Sequence, residues 1–73
     1  MELFEITLDK KALADYLYNA RTTADVSGAE MALHLQCHQP QIANIEAGNH
    51  QPRLENLVKY LNKIGLRLVI LKE

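Results

Sequence analysis

Three groups of side chains in this chain could do chemistry. His34, Cys37 and His38 fall together in the run HLQCH, and imidazole and thiolate are zinc ligands. Ser27 and Cys37 are nucleophile types with those histidines near them in sequence. Gln39, Gln41 and Asn44 carry amides that donate and accept at once, which matches the N6 and N7 edge of adenine in a DNA major groove. The first two groups lack what their chemistry requires. There is no second cluster to complete a metal site, and HLQCH spans a helix end and a turn. No motif fixes a nucleophile, a base and an orienting acid together. No metal, no cofactor and no enzyme activity are therefore expected. The amides remain, and their meaning depends on the elements that present them.

Those elements follow from local pattern. Residues 1–8 alternate at their end, with Phe4, Ile6 and Leu8 on one face, which is a strand pattern. Asp9 can cap a helix running from about Lys10 to about Thr23, with Ala12, Leu13, Tyr16, Leu17 and Ala20 at helical spacing. Ser27 and Glu30 have the spacing of a capping box, in which each side chain serves the other's backbone N–H. A short helix follows, with Met31, Ala32 and Leu35 inward, and it must stop near Gln36 because Gln39-Pro40-Gln41 opens the next one. Gly48 closes that third helix, where a left-handed residue is wanted. Leu54, Leu57, Val58, Leu61 and Ile64 mark a fourth, ended by Gly65. Residues 66–72 (LRLVILK) are apolar and β-branched and read as a strand. Two short helices with a tight connection between them, over residues 27–48, describe a helix-turn-helix whose second helix has a polar, amide-rich outer face. That geometry projects the second helix into a major groove.

Composition sets the frame around this motif. The 73 residues make one small domain, 48% hydrophobic and 23% charged, too apolar and too charge-balanced for a disordered chain. No apolar run is long enough to span a membrane, and no secretory leader pattern opens the chain. A single cysteine cannot form an internal disulfide, so a reducing, cytoplasmic setting is expected. The formal net charge of -1 lacks the globally basic character that marks many nucleic-acid binders. It is unevenly spread: residues 1–30 carry three bases and six acids, and residues 31–73 carry five bases and three acids. A core this small favours oligomerisation as its supplement.

From about Leu13 to Gly65 the chain resembles the Cro/C1-type (XRE) helix-turn-helix family of DNA-binding repressors. The residues that carry the resemblance are Arg21, Ser27, Ala32, Leu35, Gln39, Ile42, Ile45, Glu46, Gly48, Pro52, Leu57, Leu61 and Gly65, and above all the segment HQPQIANIEAG. The flanking segments FEITLDKKALADYLYNAR and LRLVILKE look like the HipB-type antitoxins. The resemblance implies a mostly α, lambda-repressor-like domain of four or five short helices. A short N-terminal strand and a C-terminal β-strand used for dimerisation complete it. It implies a homodimer on an inverted-repeat operator, and an antitoxin that represses the promoter it shares with a HipA-like toxin kinase. An unpaired LVIL strand would be an aggregation edge, and pairing with its symmetry mate removes that edge. Leu66, Leu68, Val69, Ile70 and Leu71 are the expected dimerisation residues. Pairing of the two terminal strands within one chain is the alternative.

Roles follow residue by residue. Gln39, Gln41 and Asn44 are base-edge candidates, and Pro40 can touch only apolar surface such as a thymine methyl. Ser27 and Gly28 can offer backbone N–H groups to a phosphate, and Asn49, His50 and Arg53 can hold another. Arg21 and Glu46 match a family pair that forms a structural ion pair. Three positions depart from the family. Gly28 replaces a phosphate-gripping glutamine, Gln36 takes a turn position often held by glycine, and His38 stands where Ser or Thr usually caps the third helix. Competing expectations are a phage-type Cro/C1 regulator and a protein-binding module with weakened DNA contacts.

Overall fold

A computed structural model describes residues 10–70 and residue 72. The expected strand over residues 1–8 lies outside the described residues. Four helices follow in order: α1 (Lys10–Thr23), α2 (Gly28–Leu35), α3 (Gln39–Glu46) and α4 (Leu54–Lys63). Their bounds agree with the hydrophobic spacing and the start signals. Ser27 is extended and its hydroxyl accepts from the Glu30 N–H at 3.0 Å.

The reciprocal half of that capping box does not form. The Glu30 carboxylate lies 3.6 Å from Lys63 Nζ at the far end of α4. The approach of α4 to α2 offers Glu30 a cation, and a cation outweighs a local N–H as partner for a carboxylate.

All four helices stop in the same way. In each, the N–H two residues past the last turn reaches back five residues: Val26 to Arg21, Cys37 to Ala32, Asn49 to Asn44 and Leu66 to Leu61. This is the Schellman pattern, and it requires a left-handed residue at the stop. Gly48 and Gly65 supply it at φ 81°. Asp25 at φ 60° and Gln36 at φ 58° adopt it without glycine's freedom. Gln36→Gly should therefore raise stability by about 0.5–1 kcal/mol, measured by urea denaturation. A loss of stability would show that the Gln36 side chain contributes something the backbone does not reveal.

The core is a single cluster. Leu17 from α1, Met31, Ala32 and Leu35 from α2, Ile42 from α3, and Leu57, Tyr60 and Leu61 from α4 are all buried. Val26, Cys37, Ile45, Ile64, Leu66 and Leu68 pack around its edge. Helix α2 packs on both α3 and α4, and α1 packs on α3. Gly48 lies against the start of α1, within 3.8 Å of the Ala14 side chain and the Lys10 carbonyl for any added Cβ. The C-terminal end of the short α3 is thus set against the start of α1.

Among the described residues there is no β-strand. The C-terminal segment, expected as a strand, makes no ladder over residues 66–70 in the single chain. The physical reason is simple: a strand needs a partner edge, and one chain supplies none among these residues. Leu66 and Leu68 are half-buried against the core, while Val69 and Ile70 stand exposed at 63% and 92%. No helix among the described residues is long and apolar enough to cross a membrane.

Candidate nucleic-acid interface

The outer face of the helix pair α2–α3 carries the amides. Gln39, Pro40 and Gln41 form the first turn of α3 and are all exposed. Asn44 is half-buried one turn further on, and its Oδ1 receives a long hydrogen bond of 3.5 Å from Asn49 Nδ2. Gln41 is partly committed: its Oε1 accepts the His38 backbone N–H at 2.9 Å. That bond satisfies the N–H of the N-cap residue itself, while the Gln41 N–H turns to the His38 carbonyl at 2.9 Å. The Gln41 Nε2 keeps its two donors for another partner.

Gly28 lies beside the start of α3. A Cβ built on it would sit 3.7 Å from Gln39 Nε2 and 3.9 Å from Gln39 Cγ, ordinary contact distances. The position thus abuts the first residue of the amide face, and its side chain, had it one, would line Gln39. Ser27 is exposed and its hydroxyl is occupied by the cap.

Behind α3 runs a cleft of about 260 Å³. Gln41, Asn44, His50, Gln51, Arg53 and Asn56 supply its polar rim, and Leu35, Cys37, Ile45 and Pro52 its floor. Asn44, His50 and Arg53, singled out from sequence, therefore meet in one place. Gln51 and Asn56 were not foreseen there. They are polar residues without a motif, and only the turn that folds α4 back beside α3 brings them in. Burial pushes the Cys37 thiol pKa up, which keeps it a neutral floor residue. Among the described residues no three His, Cys, Asp or Glu side chains converge as metal ligands would.

The Arg21–Glu46 pair forms as expected and is more elaborate. Arg21 Nε and Nη2 donate to the two Glu46 oxygens at 2.7 and 2.8 Å, a bidentate fork. Its Nη1 donates to the Val26 carbonyl at 2.7 Å, tying in the α1–α2 connection. The two side chains are only 10% and 7% exposed. The guanidinium also lies 5.5 Å from the Tyr18 ring centroid, within cation–π range. The hydrogen bond to Glu46 raises the Arg21 pKa above its ordinary value despite burial, so the pair stays charged.

The partners of the Tyr60 hydroxyl are what pattern alone did not assign. Its hydroxyl reaches the Glu46 carboxylate and lies 3.1 Å from the Leu17 carbonyl. A signal was present: Tyr60 falls on the buried stripe of α4 with Leu57 and Leu61, and a buried phenol needs an acceptor. Burial, and the carboxylate beside it, push the Tyr60 pKa well above the ordinary phenol value. The sign of the pH effect follows. The unfolded phenol ionises near about 10, and the folded one resists. Stability from this group is present below that pH and is lost as pH rises through it. Between about pH 9.5 and 11.5 the wild-type chain should lose stability more steeply than Tyr60→Phe, by denaturation at each pH. Parallel profiles would mean that Tyr60 ionises as freely folded as unfolded.

A short two-helix motif with its second helix presented outward, braced by a first and a fourth helix, defines the class of helix-turn-helix DNA-binding domains. A helix-turn-helix family model matches residues 17–71, which is 55 of the 73 residues. The chain belongs to this family, the Cro/C1-type (XRE) helix-turn-helix proteins. No curated protein matches the chain closely enough to count as a relative.

Proposed function

We propose that this chain is a homodimeric transcriptional repressor that reads an inverted-repeat operator with α3, and that it acts as the antitoxin and autoregulator of a HipBA-like pair. The observation that carries the DNA-reading part is the exposed amide face at the start of α3, Gln39 and Gln41 with Asn44 behind them. A helix face that docked on protein would present apolar or aromatic anchors instead. In this reading Gln39, Gln41 and Asn44 contact base edges and Pro40 a thymine methyl or sugar. Ser27 and Gly28 at the start of α2, with Asn49 just past α3 and His50 and Arg53 at the cleft rim, hold phosphates. No enzymatic step, metal or cofactor enters, and the setting is the cytoplasm, on the nucleoid, for a bacterial or phage-encoded chain.

The charge shapes this mechanism. Lys11, Arg21 and Lys63 are engaged by Asp15, Glu46 and Glu30. Electrostatic attraction to DNA is therefore weak, and the salt dependence should be shallow, with a log–log slope no steeper than about -4 for a dimer. Affinity must then come from two recognition helices acting together, which makes dimerisation essential. The same charge favours a second reading, a protein-binding module with reduced DNA contacts.

The dimer contact in this proposal is the C-terminal segment, with Leu66, Leu68, Val69, Ile70 and Leu71. Its support is the exposure of Val69 and Ile70 and an adjoining groove of about 540 Å³ along Tyr16, Ala20, Ala24, Ile64 and Leu66. Removing residues 66–73 should yield a monomer by light scattering and reduce DNA affinity steeply. A truncated chain that still dimerises would place the interface elsewhere. A HipA-like kinase encoded beside the chain would support the antitoxin assignment over a phage-type regulator.

A further inference from the structure

We infer that Tyr60 is a positioning residue for DNA recognition: its hydroxyl fixes the carboxylate end of α3 and so sets the aim of Gln39 at the other end. The inference rests on the reading of α3 as the DNA-contacting helix.

Helix α3 has eight residues, a rod about 12 Å long. Glu46 is its last residue, and the carboxylate meets donors from two other helices, Arg21 of α1 and Tyr60 of α4. The arginine fork fixes the carboxylate in its own plane and ties it to α1. Tyr60 does something different. Its ring is 1% exposed, enclosed by the core, and its oxygen is held near the Leu17 carbonyl as well. The phenol has one proton to give, and the carboxylate is the stronger acceptor. The α3 terminus is thereby fastened to the buried core. The raised phenol pKa keeps that donor in place throughout the neutral range.

The lever matters because recognition hydrogen bonds tolerate little error. A 12 Å rod tilting by about 10° about one end moves the other by about 2 Å, well beyond the roughly 0.5 Å that a bidentate amide contact allows. Ile42 and Ile45 hold α3 against α2, but apolar contacts are not directional. The hydroxyl adds direction.

The test is Tyr60→Phe in the full chain, which keeps the ring and removes only the donor. The first readout is amide hydrogen exchange by NMR. The Ala47, Gly48 and Asn49 N–H groups, which close α3, should exchange at least about tenfold faster, the weight of one charge-assisted hydrogen bond. The Gln36 and Cys37 N–H groups that close α2 should not follow. The second readout is the affinity ratio between a duplex selected by the wild-type chain from a random pool and a scrambled duplex. That ratio should fall by about tenfold while scrambled-duplex affinity stays the same. Acceleration spread evenly over all helices, no acceleration, or failure to fold would each make Tyr60 an ordinary core residue and overturn the inference. An unchanged ratio overturns it too. A wild-type chain that selects no duplex fails separately, at the DNA reading itself.

Discussion

Replacing Glu46 by alanine is expected to cost roughly 3–5 kcal/mol of folding stability, and Arg21→Ala a comparable amount. The cost comes from what is left behind. Without Glu46 the Arg21 guanidinium stays charged in a site that is 10% exposed, with only the Val26 carbonyl and the Tyr18 ring for company. Without Arg21 the Glu46 carboxylate keeps one donor, Tyr60, for two buried oxygens. Either loss is a large fraction of the roughly 5–15 kcal/mol that natural domains possess, and a domain of this size lies toward the lower end. The double variant Arg21→Met with Glu46→Leu should recover most of the loss, since neither charge is then stranded. Urea denaturation followed by circular dichroism measures all three. Single variants that lose less than about 1 kcal/mol would show a pair that behaves as if solvated.

The second large effect is on DNA. Gln39→Ala combined with Asn44→Ala should weaken binding to the promoter upstream of the chain's own reading frame by at least about a hundredfold. Each good bidentate amide contact contributes about 1–3 kcal/mol of discrimination, and the proposed dimer would carry the pair twice. The fold should survive. Gln39 is exposed, Asn44 is half-buried at a cleft rim, and neither belongs to the buried core. Gln41→Ala is a different kind of change, because it also removes the acceptor for the His38 N–H and loosens the start of α3. A fluorescence-anisotropy titration, run beside a thermal melt of the same variant, separates lost contacts from lost fold. Full affinity in a folded Gln39→Ala, Asn44→Ala dimer would place recognition on another surface.

Much of this was legible in the chain. The spacing of Leu13, Leu17, Met31, Leu35, Ile42, Leu57 and Leu61 fixes which helix faces turn inward, and burial follows that spacing. The stop of α2 near Gln36 was legible because the start signal at Gln39-Pro40 leaves no room for a longer helix, and its left-handed conformation came through family resemblance. The Arg21–Glu46 pair came through family resemblance and not through spacing, since 25 residues separate the partners.

What stayed hidden depends on the approach of α4. Glu30 has a capping position in sequence, but the end of α4 brings Lys63 to it. Tyr60 has the place of a core aromatic, and only the tertiary fold shows that its oxygen ends at Glu46. Gln51 and Asn56 enter the cleft for the same reason. The C-terminal segment shows a third kind of limit. Its β-branched pattern is plain, but strand formation belongs to a pair of edges and not to a sequence.

In the proposed function α3 reads DNA sequence as one half of a two-fold dimer. Selection of duplexes from a random pool by the full chain tests it most directly. The expected result is enrichment of an inverted repeat whose half-site centres lie about one helical turn apart, roughly 10–10.5 base pairs. A pool that stays random, or that yields a single half-site with no symmetry mate, would contradict it.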